Sequence, residues 1–232
     1  MKGKRPCDTA RRTAVTRAVD TGLRESMGLT LTFAPLTDVG RDRSENQDFF
    51  GSREVGDVAC FIVCDGMGGH RGGSTASRVG VEVIAEVLGD ASQPVPERLR
   101  ASFLRANAAI YQQSQASAEL RGMGTTAVVL AIDARRGVAW TAHVGDSRLY
   151  RVRGDEIRQL TRDHTFVQRL VDDGILTWEA AEAHPQSNVI LRSLGGQAEV
   201  EPEVTAEPFE VREGDVFLLC SDGLHGLVGE QE

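Results

Sequence analysis

Val58-Ala-Cys-Phe-Ile-Val-Cys-Asp65-Gly66-Met-Gly-Gly-His-Arg-Gly-Gly73 decides how the chain is read. An unbroken apolar run rich in β-branched residues makes a buried strand. It ends on a carboxylate, and a glycine-rich turn follows. Beyond the turn, Ala76, Val79, Val83, Ile84, Val87 and Leu88 recur at three-to-four spacing, the period of an amphipathic helix, and Gly89 ends it. Ser74 stands near its start as an N-cap candidate. Pro94 and Pro96 punctuate the entry to a second helix, with Leu99, Phe103, Leu104, Ile110 and Tyr111 on one side. Upstream, Leu29, Leu31 and Phe33 alternate with Thr30, Thr32 and Ala34 as in a strand. Downstream, strands are expected over residues 125–132, 138–144, 148–152 and 216–220, with one or two short helices over 161–187. Strands, two helices, then more strands make an α+β fold with antiparallel sheets. The order does not alternate as a doubly wound fold requires.

The 232 residues suit one domain with a proper core, and the 41% hydrophobic content is globular. No apolar run approaches the ~20 residues of a membrane span, and the polar, Arg-rich start lacks an apolar signal core. The expectation is a soluble, cytoplasmic protein. Residues 1–28 hold seven basic and three acidic residues, although the whole chain carries −8. They read as a solvated basic extension ahead of a domain over 29–232. Aromatic residues for base stacking are absent from it, so no nucleic-acid partner is expected.

Lysine excludes several chemistries. Lys2 and Lys4 are the only two, and the other 24 basic residues are arginine. A P-loop, a protein kinase and a Schiff-base enzyme each need a lysine inside the fold. The four cysteines, Cys7, Cys60, Cys64 and Cys220, form no Cys-x-x-Cys pair. Cys60 and Cys64 in one extended strand lie roughly 13 Å apart, too far for a disulfide. A cysteine phosphatase also needs Arg six positions after its nucleophile. Those positions hold Thr13, Gly66, His70 and Gly226.

Three carboxylates stand where strands end. Asp65 follows the run quoted above, Asp222 follows the apolar strand ending at Cys220, and Asp146 sits in the turn Val144-Gly-Asp-Ser-Arg148. An Asp-Gly pair alone marks only a turn. Its recurrence after buried strands delivers several carboxylates to the rim of a core, where they repel unless protonated or bridged by cations. Hard oxygen donors select Mg²⁺ or Mn²⁺ over zinc. Two such ions about 4 Å apart orient a water for in-line attack at phosphorus. The Gly66 carbonyl offers a further oxygen. In the charged loop Arg41-Asp-Arg43-Ser-Glu-Asn-Gln-Asp48, Arg43 suits a phosphate and Asp48 the water; a plain solvated turn is the simpler alternative.

Six motifs occur in order: Thr37-Asp-Val-Gly-Arg-Asp-Arg43-Ser-Glu-Asn-Gln-Asp48, Val63-Cys-Asp65-Gly66-Met-Gly-Gly, Gly122-Met-Gly-Thr-Thr126, His143-Val-Gly-Asp146-Ser-Arg148, Leu160-Thr-Arg-Asp-His-Thr165 and Leu219-Cys-Ser-Asp222-Gly223. Together they resemble the bacterial branch of the metal-dependent (type 2C) Ser/Thr protein phosphatases, from residue 31 to residue 227. The resemblance implies a β-sandwich flanked by helices with a bimetal centre at one end. It implies that Asp65 bridges both ions, that the Gly66 carbonyl binds the first, and that Asp222 binds the second. Asp146 matches the ligand of a third, weaker ion. Arg43 matches the phosphate-binding arginine, Asp48 the acid contacting the activated water, and residues 161–187 the flap beside the site. It also implies phosphoproteins as partners, alongside a bacterial Ser/Thr kinase, and a monomer acting away from membranes.

One departure stands out. The family continues past its Ser-Asp-Gly motif to a last strand carrying an Asp-Asn pair, and this sequence ends at Glu232 without one. A missing C-terminal strand is therefore expected. A catalytically impaired phosphatase-fold binding module is the alternative function.

Overall fold

The computed structural model describes residues 17–18, 28–41 and 43–228. Two short strands, β1 (Arg17–Ala18) and β2 (Thr32–Phe33), pair with each other. The hairpin β3 (Asp48–Val55) and β4 (Val58–Met67) follows, then helices α1 (Gly69–Leu88) and α2 (Val95–Ala116). Strands resume with β5 (Gly124–Thr125), β6 (Ala127–Asp133), β7 (Val138–Val144), β8 (Arg148–Arg153) and β9 (Glu156–Gln159). Helices α3 (Phe166–Asp172) and α4 (Trp178–Glu182) precede β10 (Glu203–Val204), β11 (Phe209–Glu210) and β12 (Val216–Cys220). The single turn α5 (Asp222–His225) comes last. Apart from 17–18 and 28, the basic extension 1–28 lies outside the described residues, as does Cys7.

Two antiparallel sheets face each other. The larger runs β10-β7-β6-β4-β3, with β11 and β5 joined to it, and the smaller runs β12-β8-β9. The uninterrupted apolar character of β4 and β6 follows from burial of both their faces. One face of the large sheet, with Cys60, Ile62, Val129, Ala131 and Trp140, packs on Ile84, Leu88, Leu99 and Phe103 of α1 and α2. The other, with Val128, Leu130 and Ile132, packs on Leu149, Phe217 and Leu219 of the small sheet. The expected α+β sandwich is the observed architecture. Cys60, Cys64 and Cys220 are free and buried, and burial pushes each thiol above its usual pKa.

A cavity of about 1280 Å³ opens between the sheets, lined by Leu29, Leu31, Phe61, Leu130 and Phe217 among others. It reaches none of the strand-end carboxylates and belongs to the sandwich interior. Among the described residues β12 pairs with β8 alone. Val216 and Leu218 on β12 are exposed.

The turn between β3 and β4 sets the first functional register. Gly56, at φ 61, and Asp57 make a two-residue connection that pairs Val55 with Val58. Counting back along the ladder brings Asp48 directly across from Asp65. The β12–β8 ladder does the same in the other sheet. It pairs Cys220 with Arg148, so Asp222 and Asp146 lie two residues past the last paired position.

Three local readings are corrected. The glycine-rich stretch is mostly helix: α1 opens at Gly69, and the turn is confined to Gly68 at φ 110. Gly73 serves close packing instead, since a Cβ there would lie 2.8 Å from the Gly66 carbonyl oxygen. Ser74 is accordingly inside the helix and donates to Glu45 Oε1 at 2.6 Å rather than capping. On α2, Leu104 faces outward, with 45% of its surface exposed.

Candidate metal centre

The β3–β4 ladder terminates at the Asp48–Asp65 pair, and the small sheet supplies Asp146 and Asp222 at the same end of the sandwich. The Asp222 carboxylate lies close enough to Asp65 to raise its pKa, although 157 positions separate them in sequence. Ser221 donates to Asp48 Oδ2 at 2.8 Å, tying the end of β12 to the start of β3. Asp146 is buried, and Asp48 and Asp65 are half-buried. The carboxylates expected at the site are therefore brought together. Arg43 sits on the exposed loop five residues ahead of Asp48 and makes no hydrogen bond or ion pair among the described residues.

The cluster strains against its own charge. Burial, with Asp48 and Asp222 alongside, pushes the Asp65 carboxyl up to about 9. Burial, with Asp163 and Asp222 alongside, pushes Asp146 up to about 6. Without a counter-charge, Asp65 keeps its proton at neutral pH. Divalent cations relieve the repulsion and replace that proton, and an all-oxygen donor set suits Mn²⁺ or Mg²⁺. The residues present thus fit a divalent centre.

The backbone around Asp65 is held by residues whose roles their types alone did not reveal. Asp65 N donates to Thr126 Oγ1 at 3.0 Å, and Thr126 N donates to Asp65 O at 2.8 Å. Thr125 Oγ1 adds a bond to the same carbonyl at 2.9 Å. Thr126 Oγ1 lies 2.6 Å from Ser147 Oγ, beside Asp146. Gly66 admits no side chain, because a Cβ would collide with the Gly73 carbonyl. That close approach requires a glycine in the position next to Asp65.

Behind Asp146, Arg148 grips the buried carboxylate of Asp163 through Nε and Nη2, the latter at 2.8 Å. Arg148 also lies under the ring of Trp178 at 5.9 Å, so α4 in the 161–187 segment rests on it. His143 is a satisfied core histidine: its Nε2 donates to Arg162 O at 2.7 Å.

Residues 40–232 match the family described as Protein phosphatase 2C. The chain belongs to that family. Among protein phosphatase 2C relatives, it is 39% identical over 208 residues to the serine/threonine protein phosphatase PstP of Mycobacterium tuberculosis. That match covers 88% of this chain and 38% of PstP, so the chain spans well under half of that relative. It is 40% identical to the protein phosphatase PhpP of Streptococcus pneumoniae, covering 85% of this chain and 80% of PhpP. The crystal structure of the PstP catalytic domain in complex with two manganese ions superposes with a TM-score of 0.69 at 37% identity, covering 83% of this chain and 77% of that one. The 2C family assignment agrees with the sandwich and with the gathered carboxylates. No described helix is long and apolar enough to cross a membrane.

Proposed function

We propose that this chain hydrolyses phosphoserine and phosphothreonine in proteins with the help of Mn²⁺ or Mg²⁺. The observation that carries the reading is the meeting of Asp48, Asp65, Asp146 and Asp222 from two sheets at one end of the sandwich. In this reading Asp65, the Gly66 carbonyl and Asp222 would hold two cations, and Asp146 would hold a third. When bound, the cations supply Lewis acidity and a water acidic enough to attack phosphorus in line.

The chain's own groups do the rest. Asp48 has one oxygen taken by Ser221 and orients the attacking water with its carboxylate. Arg43 reaches the phosphate with its planar fork, and its exposure on the loop suits a macromolecular substrate. The buried thiols are held protonated, so a cysteine nucleophile plays no part. The 161–187 segment serves as the flap over the site. The setting is a cytoplasmic monomer opposing a Ser/Thr kinase.

Phosphate release from a phosphothreonine peptide tests this. Turnover is expected with Mn²⁺ or Mg²⁺, loss in excess EDTA, and recovery when the metal is restored. Full activity in excess chelator overturns it, and tight Mn²⁺ binding without any hydrolysis returns the binding-module alternative.

A further inference from the structure

We propose that His164 and His225 are positioning residues that hold the backbone on both sides of the Asp146 Cα, and so set where its carboxylate stands. This rests on the reading of Asp146 as a cation ligand.

The turn cannot hold itself. Gly145 has φ 102, and a Cβ there would lie 2.6 Å from Thr126 Cγ2, so no side chain is available to fix it. Its geometry depends on outside partners. His164 takes Gly145 at both ends: His164 N donates to Gly145 O at 2.9 Å, and Gly145 N donates to His164 Nδ1 at 3.2 Å. One residue on, His225 Nε2 donates to the Asp146 carbonyl at 3.0 Å. His225 closes the short helix that Asp222 opens, so one imidazole joins two of the carboxylate-bearing segments.

The tautomer of His164 follows. Nδ1 accepts from an N–H, so it carries no proton, and the ring proton is on Nε2. That nitrogen faces Glu203 Oε2 at 3.4 Å. The bond to His164 holds the Glu203 carboxyl below its usual range. Glu203 is delivered by register, as the cross-strand partner of His143. His143 stacks on His164 with ring centroids 4.7 Å apart and planes 14° from parallel. The order of support is Glu203, His164, Gly145, Asp146.

His143, His164 and Glu203 also place donor atoms within 4.8 Å of one another, as a transition-metal site would. The ring geometry rejects that use. An imidazole binds metal in its own plane, and the planes of two stacked rings do not meet between them. His143 Nε2 is also committed to Arg162 O. The trio supports Asp146 instead. Partners of this kind, lying behind a ligand, commonly govern metal affinity by 10–100-fold.

The test is Mn²⁺ binding to the full chain, followed by the electron paramagnetic resonance signal of free Mn²⁺, with thermal unfolding recorded for each variant. Asp146→Asn defines which class of bound ion depends on Asp146. His164→Ala and His225→Ala are expected to weaken that class about tenfold or more and leave the tighter ions in place. His164→Asn, whose carbonyl can accept from Gly145 N, is expected to restore most of the loss. The Mn²⁺ concentration for half-maximal activity is expected to rise in step. If Asp146→Asn changes no class, the reading of Asp146 as a ligand fails. If it removes one class while both alanine variants keep the parent isotherm, the positioning role fails. A loss spread evenly over all classes also overturns it. Should His164→Ala not fold, His225→Ala and Glu203→Gln carry the same expectation.

Discussion

Asp65→Asn is expected to lose Mn²⁺-dependent phosphatase activity by about 10³-fold or more, because the cations supply several kcal/mol of transition-state stabilisation. The protein itself is expected to survive. Asp65 lies at the crowded centre of the cluster, and its carboxyl is pushed up to about 9 by burial and by Asp48 and Asp222. At pH 7 the metal-free parent therefore already carries a proton there, and an amide of the same shape replaces a neutral acid. The metal-free variant should unfold at no lower temperature than the parent at pH 7, and at a higher one near pH 9.5. Saturating Mn²⁺ should raise the parent's Tm and raise the variant's far less. A variant that keeps its activity, or is still stabilised by Mn²⁺ like the parent, contradicts the bridging role. A variant that fails to unfold cooperatively makes Asp65 a structural residue.

The second large effect is a proton balance. Asp65 and Asp146 both have folded-state pKa values raised above the usual carboxylate value of 3.8, to about 9 and about 6. Across that window the native metal-free chain binds more protons than the unfolded one. Its stability is thus greatest near and below pH 4 as far as these groups are concerned, and falls as pH rises through 6 and then 9. The Tm of the metal-free protein is expected to decline between pH 6 and pH 9, and saturating Mn²⁺ is expected to flatten that decline. Binding must also expel the protons. At pH 7 about one proton should leave per chain on Mn²⁺ saturation, chiefly from Asp65. Calorimetric titration in two buffers of different ionisation enthalpy measures this directly. No release, with a Tm insensitive to pH, contradicts the electrostatic description of the site.

What the chain discloses on reading depends on where each residue is buried. β4, β6 and β7 are covered on both faces or nearly so, and their apolar runs announce them. β3 is different. Asp-Phe-Phe-Gly-Ser-Arg-Glu-Val is half polar because it is an edge strand with one open side, so no apolar run marks it. β9, with an exposed Glu-Ile-Arg-Gln, was equally silent. The carboxylates were legible from their places near strand ends, although Asp65 lies inside β4 rather than after it: it closes the β3–β4 pairing, and Asp146 and Asp222 lie two residues past the β12–β8 pairing. Their pairing was not, because it depends on the β3–β4 turn and on the β12–β8 register.

The supporting residues were harder still. Thr126, His164 and His225 act on partners 61, 19 and 79 positions away. Nothing in their types separates them from ordinary polar residues; Thr126 and His164 fall inside quoted motifs, and His225 lies outside all of them. Gly73 misled for a related reason. A glycine kept for close approach to Gly66 looks in sequence like a glycine kept for a turn.

Crystals grown with Mn²⁺ and measured at the manganese absorption edge test the central claim most directly. At least two anomalous peaks are expected about 4 Å apart, with Asp65 touching both and Asp222 touching one. Ordered Mn²⁺ elsewhere, with these carboxylates free of metal, would contradict it.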